Sequence, residues 1–408
     1  MEFNFQLTNT GLVKNINLTI TTFNNQFFKL RTPFSICKEE WNHDKSRPKN
    51  IYIKKYKELN YKLDFLKIEL SKYLNERIQN KKSFSKYSIS KIVLNICSEN
   101  HTHYPENSLL YFMLIYIQNK KVSISHSTYK RYMVFFNLIR KFEGFIIKQQ
   151  SIEDINPEFI NRFIIYGRNE AYSESTILRT LNFVKTILNF VEKKGIKTAV
   201  RELELKQKKV SKEVLFLTEQ EIKKIKQTTL PDALIPARNW LIISCYSGQR
   251  FSDFMAFSKE KITKIEDIIC IKFIQQKTKK EILLPLHPAI INILQQNGNC
   301  FPRHMNIGDY NRDIRLIAKY AGINTILNVK KRIGFRTKQL FLEKWQAISS
   351  HIGRRSFATN FYGKIPTPLL MGATGHSSEQ IFLQYINHMD KERAVSLASY
   401  FNKHAIIH

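Results

Sequence analysis

The 408-residue sequence predicts a mainly α-helical protein with small β elements, arranged in three segments. Alternating apolar and polar residues near the N-terminus predict strands. Most of the remaining chain repeats apolar residues at the three- to four-residue spacing of amphipathic helices. Two polar or charged stretches, at 79–86 and 197–214, interrupt these patterns, and we interpret them as linkers.

The first segment, residues 1–85, is expected to be an α+β domain. Ile16, Leu18 and Ile20 alternate with polar residues, and the pair Asn24-Asn25 offers a turn before the extended pattern resumes. A helix should follow, because one apolar stripe recurs at helical spacing. That stripe consists of Tyr56, Leu59, Leu63, Leu66, Leu70 and Leu74.

The second segment, residues 100–197, is predicted to be a small helical bundle. Ser127 and Ser175 are candidate N-caps for two of its helices, and Asn156-Pro157 opens another. Gly195 suits the C-terminus of the last helix, because glycine readily adopts the left-handed conformation found there.

The third segment, residues 215–408, is predicted to be a mixed α/β domain. Thr218 and Glu221 have the spacing of a capping box, which marks the start of its first helix. Helical patterns dominate, with one β-hairpin expected at 268–285. Residues 391–408 carry enough apolar side chains for a short C-terminal helix.

The charge of the chain favours a polyanionic partner. It has 65 Lys and Arg against 34 Asp and Glu, a formal net charge of +31. Nucleic acid is the commonest polyanion that such a protein meets. A codon bias toward Lys, Ile and Asn would also make the chain basic, so charge alone favours DNA or RNA without establishing it.

Cysteine usage and hydropathy narrow the class further. The five cysteines are scattered and include no C-x-x-C pair, which argues against a disulfide framework or a zinc ribbon. The N-terminus has no basic and then apolar leader, and no apolar run reaches the length of a membrane span. We therefore expect a soluble cytoplasmic protein with no membrane partner.

Four short boxes near the C-terminus carry reactive and cationic residues. They are SGQRFSDF (247–254), FIQQKTKKEILLPL (273–286), SSHIGRRSFATNF (349–361) and MGATGHSSEQIFLQYI (371–386). In chain order they supply Arg250, Lys277, His351, Arg354, His376 and Tyr385.

These residue types suit the cleavage of a phosphodiester by a tyrosine. The phenol must lose a proton whose unperturbed pKa is about 10. Guanidinium groups match the charge and geometry of the non-bridging oxygens, and a lysine or histidine can protonate the leaving 5′ oxygen. Two arginines, a lysine and two histidines would fill these roles without a metal ion or another cofactor.

The boxes resemble those of the tyrosine recombinase (phage integrase) family, whose signature is Arg, Lys, His-x-x-Arg, His or Trp, then Tyr. Tyr385 follows His376 by nine residues, which is the family spacing. The resemblance implies that Arg250 and Arg354 clamp the scissile phosphate and that Lys277 is the general acid. Tyr385 would attack phosphorus, giving a 3′-phosphotyrosyl link and a free 5′-hydroxyl.

The same resemblance assigns the histidines. His351 would act as a general base or shared-proton partner, and His376 would hydrogen-bond the phosphate. The sequence departs from the family at Ile352 and Gly353, where an Asp or Asn and a Leu are usual, and at Thr374, where a Leu is usual. None of these departures removes a reactive group.

Some assignments have rivals within the chain. Lys279 and Lys280 lie close to Lys277, so the register of the hairpin decides which lysine faces the site. Tyr362 and Tyr400 compete with Tyr385 but lack its spacing to His376. Arg355 is a candidate DNA contact that could equally pair with a carboxylate.

The resemblance also implies roles for the three segments. The first would bind arm-type DNA sites through Trp41, Lys45, Arg47 and Lys49; the alternative is an ordinary basic surface with Trp41 packed beneath it. The second would be the core-binding domain, forming a C-shaped clamp around duplex DNA with the catalytic third segment. The C-terminal helix would pack on its own domain or dock on a neighbouring protomer.

The function that the resemblance implies is site-specific recombination, most simply the integration or excision of a mobile element. Double-stranded DNA with core-type and arm-type sites would be the partner, bound by a homo-tetramer with accessory DNA-bending proteins, in a bacterial cytoplasm at the nucleoid. A DNA invertase or resolvase with the same chemistry is one alternative. A non-catalytic DNA-binding regulator with this fold is another.

Overall fold

The computed structural model describes residues 1–8, 12–22, 26–50, 53–98, 104–205, 214–333, 336–386 and 398. The chain divides into two units, one formed by 1–208 with 331–338 and the other by 209–330 with 339–408. The predicted turn at Asn24-Asn25 and nearly all of the predicted C-terminal helix lie outside the described residues.

The first unit begins with an antiparallel sheet in the order β1-β2-β3. Its N-terminal elements are β1 (Glu2–Leu7), β2 (Val13–Thr21), β3 (Phe27–Cys37), β4 (Trp41–Asn42), β5 (Arg47–Pro48), α1 (Lys54–Gln79) and α2 (Lys86–Ser98). The predicted apolar stripe of α1 packs against the sheet, where Ile16, Leu18 and Ile20 are fully buried. Strands near the N-terminus followed by a long helix are therefore confirmed.

A helical bundle follows in the same unit. Its helices are α3 (Leu109–Lys120), α4 (His126–Ile146), α5 (Pro157–Asn169) and α6 (Glu174–Glu192). Asn156 caps α5 as predicted, accepting from the backbone N–H of Phe159 at 3.0 Å. Gly195, shortly after α6, has the left-handed φ of 85°.

Two predicted caps are wrong by two residues. Ser125 caps α4 and Ser173 caps α6, whereas Ser127 and Ser175 lie inside the first turns. A cap needs extended backbone and a side chain that reaches the N–H three residues on. Both sites have a Ser-x-Ser pattern, and in each the first serine meets this condition.

The interpretation of 197–214 as a linker is wrong for its first part. Val200 and Leu203 are buried in the core of the bundle, at 5% and 2% exposure. Lys185 Nζ donates to the carbonyl of Leu203 at 2.6 Å and so ties this stretch to α6. Residues 206–213 lie outside the described part of the chain.

The second unit combines helices with one three-stranded sheet in the order β6-β7-β8. The elements of this part of the chain are α7 (Glu219–Gln227), α8 (Ile235–Ser247), α9 (Phe251–Phe254), β6 (Ile262–Ile265), β7 (Ile268–Ile274), β8 (Glu281–Pro285), α10 (Pro288–Gln296), α11 (Ile307–Tyr320), β9 (Ile326–Ile333), β10 (Arg336–Glu343), α12 (Lys344–Ala347), α13 (Ile352–Phe361), α14 (Thr367–Thr374) and α15 (Glu379–Leu383).

The start of this unit and its first hairpin follow the prediction. Thr218 and Glu221 form the capping box of α7, with each side chain accepting from the other's backbone N–H. Strands β7 and β8 form the hairpin expected at 268–285. The expectation of a single hairpin is wrong, because β6 also pairs with β7 and because β9 and β10 form a separate two-stranded sheet. Its many lysines and arginines obscure the two-residue period of a strand.

Helix α8 is the central element of the second unit, and α13 packs directly on it. A Cβ added at Gly353 would lie 1.9 Å from Ser244 Oγ and 2.8 Å from the Ser244 backbone carbon. The glycine therefore lets the two helices approach closely. This departure from the family pattern thus has a packing cause, because the same approach buries the neighbouring Arg354 completely.

No helix among the described residues is long and apolar enough to cross a membrane.

We predict that Gly353→Ala lowers the free energy of unfolding by about 1–3 kcal/mol, because the added methyl group overpacks the contact between α8 and α13. Chemical denaturation measures this loss. Gly372→Ala is the matched control, since a Cβ at this exposed helical glycine meets nothing within 4 Å. Equal stabilities of the two variants would contradict the close approach.

Candidate active site

The turn between α8 and α9 presents Arg250. Gly248 ends α8 with a left-handed φ of 68°, and a Cβ there would lie 2.5 Å from the Phe357 ring. Arg250 Nη1 donates to Gln275 Oε1 at 3.1 Å and lies 3.8 Å from Asp253 Oδ2. The buried Asp253 carboxylate therefore attracts the Arg250 guanidinium electrostatically.

Arg354 lies on α13 and is 0% exposed. Its Nη1 donates to the carbonyl of Gly248 at 3.0 Å and its Nη2 to the carbonyl of Thr374 at 2.8 Å. Its Nε is buried and finds no hydrogen-bond acceptor among the described residues. Burial, followed by the charge of Arg250, lowers the pKa of Arg354 to about 10, so the guanidinium stays protonated at neutral pH.

His376 follows Gly375, which has a left-handed φ of 71°. The Thr374 hydroxyl donates to the carbonyl of Leu370 at 2.7 Å and therefore accepts from His376 Nδ1, also at 2.7 Å. Nε2 is then the unprotonated nitrogen, and it accepts from Arg354 Nη2 at 2.8 Å. Burial and the nearby guanidinium groups lower the pKa of His376 to about 3, so its ring is neutral at physiological pH.

His351 stands at the start of α13, on the exposed side of the same cluster. Partial desolvation lowers the pKa of its ring, and neighbouring positive charges lower it further. Those charges belong to Arg355, Arg354, Arg250 and Lys277. A neutral imidazole among these positive charges is able to accept a proton.

The turn between β7 and β8 carries the candidate lysines. Lys277 is exposed there, and its charge acts on His351. The charge of Lys280 acts on His376 instead. Lys279 holds the left-handed φ of 56° that reverses the chain between them. The charges of two lysines on this turn therefore act on the two histidines.

Tyr385 lies just after α15, where its backbone N–H donates to the carbonyl of Phe382 at 2.9 Å. Its ring centroid is 4.9 Å from that of His376, and Arg354 Cζ lies 5.5 Å from the same ring.

The two rival tyrosines are placed differently. Tyr362 packs against Phe382 with their ring centroids 6.4 Å apart, and Tyr400 lies outside the described residues. Of the two tyrosines that can be compared, Tyr385 is the one in contact with the cationic cluster.

Two buried amides belong to this site, and no sequence pattern singles them out. Gln249 and Gln275 are both 0% exposed and hydrogen-bond to each other, Nε2 of Gln275 to Oε1 of Gln249, at 3.0 Å. The adjacent Gln276 is exposed. Residue type does not separate a buried glutamine from an exposed one, so only the fold reveals the pair.

The N-terminal candidates are only partly available for DNA. Lys45 and Lys49 are exposed. Trp41 as a DNA contact is wrong, because its ring is 1% exposed within the core. Arg47 pairs with Asp64 and lies 5.1 Å over the Phe5 ring, so its guanidinium is engaged inside the domain.

Within the described ranges, no group of three or more His, Cys, Asp and Glu side chains could hold a metal ion.

Comparisons with known proteins agree on one fold. Residues 108–205 match the family model described as the phage integrase SAM-like domain. The Tn1549 transposon integrase, in complex with a circular intermediate DNA, superposes with a TM-score of 0.53 at 13% identity, covering 70% of this chain and 98% of that chain. No curated protein gave a match.

Two further solved structures extend the likeness over more of the chain. The XerH site-specific recombinase bound to a palindromic difH substrate gives a TM-score of 0.52 at 15% identity, covering 83% of this chain and 96% of that chain. A lambda integrase tetramer bound to a Holliday junction gives 0.50 at 15% identity, covering 92% and 96%.

We predict that acid destabilises the folded chain through His376. Its folded pKa of about 3 lies below the ordinary value near 6.5, so below pH 6.5 the unfolded chain binds a proton that the folded chain does not. Stability should fall by up to about 1.4 kcal/mol per pH unit as the pH drops. Denaturation of the wild-type protein and of His376→Gln between pH 7 and 5 measures this. The variant should show the shallower dependence, and equal slopes would contradict the assignment.

Proposed function

We propose that this chain, which shares the fold of tyrosine recombinases and has an integrase-type SAM-like domain, cleaves and rejoins DNA at specific sites through Tyr385. One observation carries the proposal. The Tyr385 side chain lies against Arg354 and His376, in a cluster of cations that suits a phosphodiester.

The two arginines suit the non-bridging oxygens of the scissile phosphate. Arg354 cannot turn away, because both of its terminal nitrogens are held by backbone carbonyls in a fully buried position. A guanidinium fixed in advance stabilises negative charge in the transition state without reorganising. The buried Nε of Arg354 adds a donor with no acceptor among the described residues, and an anion would supply one.

Proton transfer falls to the histidines and the lysine turn. Partial burial and, after it, the neighbouring cations lower the pKa of His351, so its neutral ring can accept the proton that Tyr385 loses. The amines of the β7–β8 turn can protonate the leaving 5′ oxygen, and we assign this role to Lys277. The phosphotyrosyl link preserves the energy of the broken bond, so rejoining needs no nucleotide hydrolysis.

The tautomer of His376 modifies its expected role. Nε2 accepts from Arg354 while Nδ1 donates to Thr374, so His376 orients the guanidinium before DNA binds. To donate to a phosphate, Nε2 must itself carry a proton. A bound phosphate favours this, because its negative charge raises the pKa of the ring.

The partner that fits this site is double-stranded DNA. The similar XerH structure is a complex with its substrate DNA, and the similar lambda integrase structure is a tetramer on a Holliday junction. We propose that this chain also acts as a tetramer on DNA, integrating or excising a mobile element in a bacterial cytoplasm. Residues 1–85 would bind arm-type sites, 100–197 core sites, and 215–408 would cut.

The proposed nucleophile can be tested with a set of overlapping nicked suicide duplexes that together cover the DNA flanking the coding sequence. The wild-type protein should form a covalent protein–DNA adduct, and Tyr385→Phe should form none, because it lacks the attacking oxygen. Tyr362→Phe is the control and should form the adduct normally. An adduct that survives Tyr385→Phe would refute the assignment.

The arm-binding role falls to exposed cations of the first unit. Lys29 and Arg31 alternate with buried residues on β3, so both project from the outer face of the sheet. Arg31 stands opposite Asn17 on β2, which adds a polar group to that face. Together with Lys45 and Lys49 they replace the buried Trp41 and the paired Arg47 as candidate contacts.

We predict that Lys29→Ala combined with Arg31→Ala weakens binding to duplex DNA and reduces the slope of log K against log salt by about 2, roughly one for each lost phosphate contact. Fluorescence anisotropy at several salt concentrations measures the slope. Arg47→Ala should leave the slope unchanged and instead lower stability, because Arg47 pairs with Asp64. A reduced slope for Arg47→Ala, with an unchanged slope for the double variant, would instead identify Arg47 as the DNA contact.

A further inference from the structure

Gln275 is a buried amide of the second unit, and its side chain makes four hydrogen bonds. Its Oε1 accepts from Arg250 Nη1 at 3.1 Å and from Thr278 Oγ1 at 2.6 Å. Its Nε2 donates to Gln249 Oε1 and to the carbonyl of Thr374, both at 3.0 Å. A side-chain amide offers two acceptor positions and two N–H donors. All four are used at a position that is 0% exposed.

These four bonds reach three different boxes of the site. Gln249 and Arg250 belong to the first, and Thr278 belongs to the turn that carries Lys277. The carbonyl of Thr374 belongs to the fourth box and also accepts from Arg354 Nη2. One side chain therefore connects the phosphate clamp, the lysine turn and the segment before His376.

The backbone around this amide is fitted to it. A Cβ added at Gly375 would lie 2.4 Å from Gln275 Oε1, so the left-handed turn before His376 passes directly over the amide. Gln249 completes the enclosure by donating to the carbonyls of Ser247 and Ala373 at 2.9 and 2.7 Å. A fully paired network in a dry interior is rigid, because breaking one bond leaves an unsatisfied buried group.

The lysine turn depends on the same residue. Gln275 N–H donates to the carbonyl of Lys280, and Lys279 N–H donates to the carbonyl of Gln275, at 2.8 and 2.9 Å. Lys277 itself is exposed at the tip. Its position relative to Arg250 is therefore set through Gln275, whose single oxygen holds both Arg250 and the hydroxyl next to Lys277.

We infer that Gln275 is a positioning residue that fixes the Arg250 guanidinium and the Lys277 turn relative to each other, so that the phosphate clamp and the proton donor meet the same phosphate. The inference rests on the proposed function. It adds a specific consequence, namely that loss of the amide should impair protonation of the leaving group as well as binding of the phosphate.

The test compares two substrates for single-turnover cleavage by Gln275→Leu. One is the suicide duplex that the wild-type protein cleaves, and in the other sulfur replaces the bridging 5′ oxygen at the scissile phosphate. A thiolate leaves without a proton, since thiols ionise near pH 8.5. We expect the variant to lose on the order of 100-fold in rate on the oxygen substrate. On the sulfur substrate, where the proton donor is dispensable, we expect a loss of about tenfold or less.

Gln276→Leu is the matched control. Gln276 is the next residue and is exposed, with its side-chain amide donating to the carbonyl of Ser252 at 3.1 Å. It should cleave both substrates at the wild-type rate. An equal loss for Gln275→Leu on both substrates, or no loss on either, would overturn the inference. Absence of an adduct with the wild-type protein on every substrate would instead overturn the proposed function.

A second variant covers the case in which Gln275→Leu fails to fold. Thr278→Val removes only the hydroxyl that donates to Gln275 Oε1, at an exposed position of the turn. We expect it to slow cleavage of the oxygen substrate about tenfold, with the sulfur substrate cleaved at the wild-type rate. An unchanged rate on the oxygen substrate would overturn the link between Gln275 and the lysine turn.

Discussion

The buried guanidinium of Arg354 is the constraint on which the rest of the site depends. Removing a charge of this size from water costs several kcal/mol, and the cost must be offset locally. Carbonyls at the ends of two helices, those of Gly248 and Thr374, supply hydrogen bonds. The unprotonated nitrogen of His376 supplies a further one. Satisfying this one cation therefore brings the first, third and fourth boxes together.

Glycine makes these approaches possible. Gly353 lets α13 approach α8, so that Arg354 enters the interior beside the end of α8. Gly248 lets the chain turn directly against the Phe357 ring, and Gly375 turns it over the amide of Gln275. The two turning glycines adopt left-handed backbone that other residues reach only with strain. The close packing that these glycines permit is therefore also what holds the Arg354 guanidinium in a fixed position.

The proposed reactive groups could be selected from the sequence because each lies in a short local pattern with a fixed spacing, such as His376 and Tyr385. The capping box at Thr218 is equally local, and it is confirmed. Gln275 could not be recognised in this way, because its role comes from partners as far away as Thr374.

The failed predictions have specific physical causes. The predicted N-caps of α4 and α6 are wrong because two serines at each site satisfy the sequence pattern, and only the backbone conformation distinguishes them. Val200 and Leu203 looked like linker residues because charged neighbours hide their burial. Basic residues surround Trp41 in the sequence and suggest a DNA contact, but its ring is buried in the core. In each case the sequence pattern was compatible with two states, and packing over longer distances selected one.

The chemical identity of the covalent protein–DNA link tests the proposed role of Tyr385 most directly. The adduct formed on a nicked duplex can be digested with trypsin and nuclease and its peptides sequenced by tandem mass spectrometry. We predict a single modified peptide, with a nucleotide attached through its 3′-phosphate to Tyr385, and a free 5′-hydroxyl on the other DNA end. A nucleotide on any other residue, or a link through a 5′-phosphate, would contradict the mechanism.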